Sequence, residues 1–221
     1  SARLRLVITD DGDAAGDATL EERSSPQVLR NLQDSTSVAV RWMPRVQHGI
    51  RSDLDVGVRS GPDVFLRLRL RRQWGLTDNS ILRVGQTFRY GTESLGVSSS
   101  QLEMERAMSE HSVLRFSTVY LIEEDDHPDG FLWSHGLSMS HVFREWKDAS
   151  LGYGFSVLGH TQPDHRKESY GPWVLWRQSF WRDWLYYEVE PRLTRYRELD
   201  WDTVPSVVLR LEAQFGRYKK K

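Results

Sequence analysis

The chain is 221 residues long, contains no cysteine, and carries 30 basic against 31 acidic side chains for a formal net charge of −1. That length suits one substantial domain, the near-cancelled charge gives no global field for nucleic acid, and no apolar run approaches the roughly 20 residues that a membrane helix needs. A mean hydropathy of −0.58 excludes less than it first suggests, because a strand with one apolar and one charged face averages to a polar value.

Residues 2–9 place Leu4, Leu6 and Ile8 on one face, the period of a β-strand. A polar stretch at about 10–34 follows with no clear period and is expected to be a long loop. Strands are predicted next at 37–43, 50–59 and 63–74. The turn signal Ser60-Gly61-Pro62-Asp63 makes the last two a hairpin. Within the third of these strands, Val64-Phe65-Leu66-Arg67-Leu68-Arg69-Leu70-Arg71 alternates without a break, apolar on every even position and mostly arginine on the odd ones. Residues 80–90 set Leu82, Val84, Phe88 and Tyr90 against Arg83, Thr87 and Arg89, and residues 100–108 set Leu102 and Met104 against Glu103 and Glu105. Charge of opposite sign thus enters the same face. A strand at 113–122 leads into the acidic turn Glu123-Glu124-Asp125-Asp126-His127-Pro128-Asp129-Gly130, which belongs in water. The remaining strands are expected at 131–143, 149–159, 170–179, 184–195 and 206–215.

A soluble sandwich or soluble barrel would bury the leucines of such strands and turn Arg67, Arg69 and Arg71 to water. Strands of this kind recur along the whole chain, and most reach the roughly 9–11 residues that cross a bilayer when tilted. The expectation is therefore an all-β, antiparallel transmembrane β-barrel of about 12 strands, apolar outside and charged within, forming a single domain over 1–221. Aromatics near strand ends (Trp42, Trp74, Tyr90, Trp133, Trp146, Tyr170, Trp184 and Trp201) suit a membrane interface. A cysteine-free chain suits passage through an oxidising compartment. The chain opens directly as strand with no signal peptide, so upstream strands are expected to precede it, for a total of about fourteen.

The inward face of such a barrel would carry a charge ladder: Arg41, Arg51, Asp53, Asp55, Arg67, Arg69, Arg71, Arg83, Arg89, Glu103, Glu105, Arg115, Glu188, Glu190, Arg192, Arg210 and Glu212. In a narrow lumen these groups would pair across it and between neighbouring strands, plugging the barrel and leaving a structural role: docking another envelope protein through the segment 14–34 or the outer loops. In a wider lumen they would stay hydrated and line a narrow channel for small polar or anionic solutes, with Arg67, Arg69, Arg71, Arg83 and Arg89 as the selective wall. The docking role is the main expectation and the channel its alternative.

An outer-membrane lipid hydrolase is the less favoured third reading. The stretch Trp133-Ser134-His135-Gly136-Leu137-Ser138-Met139-Ser140-His141 holds serine and histidine, but residues an odd number apart on one strand point to opposite faces. Ser138 and Ser140 therefore cannot share a face with His135 or His141, and only a pair between strands could supply a nucleophile and its base. Asp10-Asp11-Gly12-Asp13-Ala14-Ala15-Gly16-Asp17 has the ingredients of a calcium loop without the full ligand pattern, and His160, Asp164 and His165 sit in one polar loop. Both are read as solvated loops, so no catalytic residue, metal or cofactor is expected.

The closing run Val207-Val208-Leu209-Arg210-Leu211-Glu212-Ala213-Gln214-Phe215 resembles the last strand of bacterial outer-membrane β-barrel proteins. That resemblance implies that Leu209, Leu211 and Phe215 act as a signal read by the barrel-assembly machinery. The tail Gly216-Arg217-Tyr218-Lys219-Lys220-Lys221 departs from the pattern, in which the signal stands at the very end. More narrowly, Gly61-Pro62-Asp63-Val64-Phe65-Leu66-Arg67-Leu68-Arg69, Leu114-Arg115-Phe116-Ser117, Arg182-Asp183-Trp184-Leu185 and Glu188-Val189-Glu190-Pro191 resemble an uncharacterised group of proteobacterial outer-membrane proteins, from about Ser37 onward. The resemblance implies residence in the bacterial outer membrane among its lipid and lipopolysaccharide, and it implies no activity.

Overall fold

A computed structural model describes residues 3–9, 37–44, 49–59, 63–92, 96–123, 130–143, 145–146, 149–161, 165–181 and 184–213. These form twelve strands: β1 (Arg3–Thr9), β2 (Ser37–Met43), β3 (Ile50–Arg59), β4 (Asp63–Thr77), β5 (Ser80–Gly91), β6 (Gly96–Ser109), β7 (Ser112–Glu123), β8 (Leu132–Phe143), β9 (Ala149–His160), β10 (Arg166–Ser179), β11 (Leu185–Tyr196) and β12 (Thr203–Ala213). They join in one sheet in strict chain order, each pair antiparallel. The expected long loop at 10–34, with its acidic segment, falls outside the described residues, as do residues 124–129 of the acidic turn and Phe215.

Each of the twelve expected strands has its counterpart, and the differences lie in where some of them start and stop. β6 begins four residues early because Gly96 and Val97, which carry no alternation of their own, pair with Tyr90 and Arg89 of β5. β10 likewise begins at Arg166, paired with His160 of β9, and passes a register shift between Lys167 and Ser169. Once a neighbouring strand offers unpaired N–H and C=O groups, backbone pairing extends a strand beyond what its side chains announce.

The register assigns one face to Asp53, Asp55, Arg67, Arg69, Arg71, Arg83 and Glu103, and the other to Leu54, Val56, Leu66, Leu68, Phe88, Leu102 and Met104. Burial is inverted relative to a soluble protein. Asp55 is 2% exposed and sits on the first face, whereas Leu209, on the second, is 73% exposed. Apart from one turn of 3-10 helix at Arg197–Leu199, the described residues supply no second layer to cover the charged face. A single sheet buries one of its own faces only by curling around it, so the charged face is the inside of a barrel wall and the leucines are its outside. The soluble reading, with Leu66, Leu68 and Leu70 inward, fails on this point.

Aromatic rings gather toward the two ends of the outer face. Tyr90, Tyr120, Trp133, Tyr170 and Trp201 lie toward the end that carries the β7–β8 and β9–β10 connections, and Trp42, Trp74, Phe143, Trp146 and Trp176 toward the opposite end. Tyr170 and Trp201 stand 5.4 Å apart between centroids, and Phe143 and Trp146 stand 5.9 Å apart.

Candidate functional site

The inner wall carries three groups of ion pairs, each built where neighbouring strands bring opposite charges onto one face. On β3 and β4, Asp55 lies opposite Arg67, and Asp53 lies opposite Arg69. Asp55 accepts from Arg67 Nε at 2.9 Å and also pairs with its Nη2, a two-donor grip that only a guanidinium provides. Asp53 pairs with Arg71, two residues along the same strand from its register partner. On β5, β6 and β7 a four-membered box forms. Arg83 Nη1 lies 3.1 Å from Glu103 and 2.7 Å from Glu105, and Arg115 Nε lies 2.9 Å from Glu103 and 2.7 Å from Glu105. On β10, β11 and β12, Arg177 Nη1 donates to Glu188 at 2.7 Å and Glu212 at 2.6 Å. Arg210 donates to Glu190 at 2.9 Å, and Glu190 also holds Arg192.

The two partners of these pairs are not equally open to water. Asp53 and Glu103 side chains are 3% and 5% exposed, while Arg71 and Arg83, which neutralise them, are 34% and 36% exposed. Arg115 and Arg210 are likewise the more open partners of Glu103 and Glu190. In these pairs the shorter carboxylate lies against the wall and the longer arginine is the partner more open to the interior. Three places depart from this: Arg67 and Asp55 are both sealed, as are Arg192 and Glu190, and Glu212 is more open than Arg177. Arg69 and Arg89, half-buried, share the face on β4 and β5.

The part of the wall made by β8 and β9 carries no charge along most of its length. Ser134, Gly136, Ser138 and Ser140 face inward there beside Leu158, Ser156, Gly154 and Gly152. Trp173 of β10 turns inward next to them. The interior is therefore two-sided, with ionic clusters on either flank of a strip of small neutral residues.

Most of the predicted ladder lies on the inner face. Arg51 is exposed near the beginning of β3, and the backbone of Arg41 pairs with Asp55, although the Arg41 side chain lies outside the described residues. Leu209 and Leu211 point outward from β12. Sequence reasoning missed Arg177, Trp173 and the buried Asp63, which accepts a hydrogen bond from Thr92 Oγ1 at 3.2 Å. Arg177 is legible only once register sets it against Glu188, because its own strand shows no alternation of charge.

Between strands, the outer face does bring serine and histidine together. Ser112 Oγ lies 2.7 Å from His141 Nδ1, and Tyr153 OH lies 3.4 Å from the other ring nitrogen. The third group is thus a phenol where a carboxylate would orient and charge-stabilise a catalytic histidine. His135 is engaged by Thr118 at 2.6 Å, and Ser134 and Ser138 face the opposite way, into the barrel. His165 stacks on Trp133 at 5.2 Å. Among the described residues no three metal-ligating side chains cluster.

No protein-family model matches the chain, and no curated protein matches it either. Among solved structures, a NanC porin aligns with a TM-score of 0.51 at 8% identity, and a KdgM porin aligns with a TM-score of 0.51 at 10% identity. Each alignment covers 82% of this chain and 94% of the other. At these identities the likeness is one of fold: the curled, all-antiparallel sheet described above has the architecture of a porin β-barrel.

Proposed function

We propose that this chain is a narrow channel of the bacterial outer membrane that passes small anionic solutes and performs no chemistry of its own. The observation that carries this reading is the unequal accessibility of the inner ion pairs: carboxylates sealed, Arg71 and Arg83 open to the interior. An anion entering a narrow bore gives up part of its hydration, and wall-mounted guanidiniums offset that loss while raising the barrier to cations. The porin-like fold and the apolar outer face with aromatic ends support residence in a bilayer. The docking role expected from the sequence gains no support from these neighbours, and the open arginines argue against an interior plugged throughout.

The orientation follows from loop lengths. The β4–β5 and β6–β7 connections are tight turns at the end where β1 begins and β12 finishes, whereas the longer β1–β2 and β7–β8 connections lie at the other end. Short turns belong to the periplasmic side of such barrels. The test is the current through the native protein folded into a planar bilayer between unequal potassium chloride solutions. A reversal potential on the chloride side is expected; an absence of conductance, or a preference for potassium, overturns the reading.

A further inference from the structure

The ionic clusters of the inner wall match arginine with carboxylate, but two basic side chains at one rim of the outer face have no such match. Lys167 of β10 and Arg195 of β11 are exposed, and among the described residues neither forms an ion pair with a carboxylate. Both converge on Tyr170. The Lys167 ammonium stands 4.1 Å from the centre of the Tyr170 ring and 4.6 Å from that of Trp201, and the two rings are 5.4 Å apart. Arg195, the register partner of Tyr170, donates from Nε to Thr203 Oγ1 at 3.2 Å and sets Nη1 3.5 Å from the Tyr170 hydroxyl. Aromatic faces hold an ammonium without neutralising it, so its charge stays available to an anion. Trp201 takes its place through an unusual backbone: Asp200 and Trp201 have φ of 52° and 66°, a left-handed region that bulky residues seldom occupy. Strain of this kind concentrates where a ligand is held, and here it seats the indole beside the lysine. Glu198, Asp200 and Asp202 of the same turn are exposed and pair with neither cation.

The surroundings point to the ligand. From this cluster toward mid-strand the outer face continues as Phe155, Val174, Leu193 and Val207, all exposed, with the Phe155 ring 6.0 Å from that of Tyr170. Two cations at the head of an apolar slope fit an amphiphile with a phosphate head and acyl chains, whereas a free anion would gain nothing from the slope. We propose that Lys167 and Arg195, mounted on Tyr170 and Trp201, bind the phosphate of an anionic lipid in the outer leaflet, with its chains laid along the apolar strands below. The inference rests on the orientation given above and not on conduction.

The native protein, folded in detergent micelles, is titrated with lipid A, and the bound lipid is read by native mass spectrometry; each variant is first checked for folding by heat-modifiable migration. Lys167→Gln and Arg195→Gln are each expected to weaken binding about fivefold, and the double variant about 25-fold, the usual effect of one and two basic residues at an anionic membrane surface. Should the double variant not fold, the single variants carry the comparison. Arg72→Gln, which removes an exposed arginine 4.8 Å over Trp74 at the opposite end of the outer face, is expected to bind as the native protein does. The proposal is overturned by native affinity in the variants at 167 and 195, by equal binding of lipid A stripped of its phosphates, or by displacement of lipid A with inorganic phosphate at equal concentration, which marks a site for a free anion. Loss of binding in Arg72→Gln alone overturns it through the orientation. A protein that binds lipid A as expected but does not conduct supports this inference and defeats only the channel reading.

Discussion

Replacing Arg71 by Gln separates a cationic wall from one whose charges merely cancel. Arg71 is about one-third open while its partner Asp53 is nearly sealed, so the substitution removes the charge that a passing ion meets first. At about 6 Å in a medium of aqueous dielectric, one unit charge is worth about 0.7 kcal/mol to an ion. The anion loses that attraction and the cation is freed of an equal repulsion, so the preference between them moves by about 1.4 kcal/mol, or roughly tenfold. Screening sets the conditions, because the Debye length is about 10 Å at 0.1 M and about 3 Å at 1 M. The shift is expected in full at the lower salt and reduced at the higher. The assay is the reversal potential in asymmetric potassium chloride, with Asp53→Asn as the companion. That change also alters the inner charge by one, but from behind the arginine, so it should move the potential in the opposite direction and by less. An Arg71→Gln channel with the native reversal potential at 0.1 M would refute the reasoning, as would companions that shift the same way.

Four further outcomes follow from the two faces of the sheet. Glu190 is fully buried and holds both Arg192 and Arg210, so Glu190→Gln should lower stability by about 3–5 kcal/mol, read as the urea midpoint of the protein folded in lipid. The rim pair of Glu168 with Arg166 should contribute less than about 1 kcal/mol in the same measurement. On the outer face, Leu68→Arg at mid-strand should cost about 2–4 kcal/mol, and Leu76→Arg near the end of β4 about 0–1 kcal/mol; equal costs at the two depths would count against a bilayer around this face. Ser112, despite its contact with His141, lacks the remainder of a hydrolytic site, so expressing the native protein or Ser112→Ala should give lipid A of identical mass. Loss of an acyl chain that depends on Ser112 would reverse that conclusion.

The part of this architecture legible in the sequence is the part written in a two-residue period. In β4, arginine and leucine alternate for most of a strand, which fixes both its type and its two faces. Alternation in one strand cannot tell which face is inside, since a soluble sheet and a membrane barrel share the pattern with opposite burial. The recurrence of charge on the same parity in β3, β5 and β6 tips that choice, because a buried face that is charged everywhere needs partners strand by strand, and the register supplies them. Strand starts were less legible. Gly96-Val97-Ser98-Ser99 and Arg166-Lys167-Glu168 lack alternation and are drawn into the sheet by their neighbours.

The harder limit concerns β8, β9 and β10. Ser134, Gly136, Ser138 and Ser140 alternate in size rather than in charge, so the stretch reads as a strand whose serines and histidines fall on opposite faces, with no further role marked. What organises it is a relation between strands: small residues on two of them leave room for the indole supplied by the third. Such a relation has no local signature, because each glycine taken alone reads only as a weak strand position and Trp173 taken alone reads as one more aromatic. The accessibility of the ion pairs is hidden for a related reason. Read from sequence alone, Asp53 and Arg71 carry equal weight and opposite sign, so the pair cancels. The sign met by a solute depends on side-chain length: an aspartate ends close to the backbone, and an arginine reaches over it into the bore. A net charge near zero along the chain is therefore compatible with a cationic lumen, and the carboxylates, far from cancelling that lumen, anchor the arginines that define it.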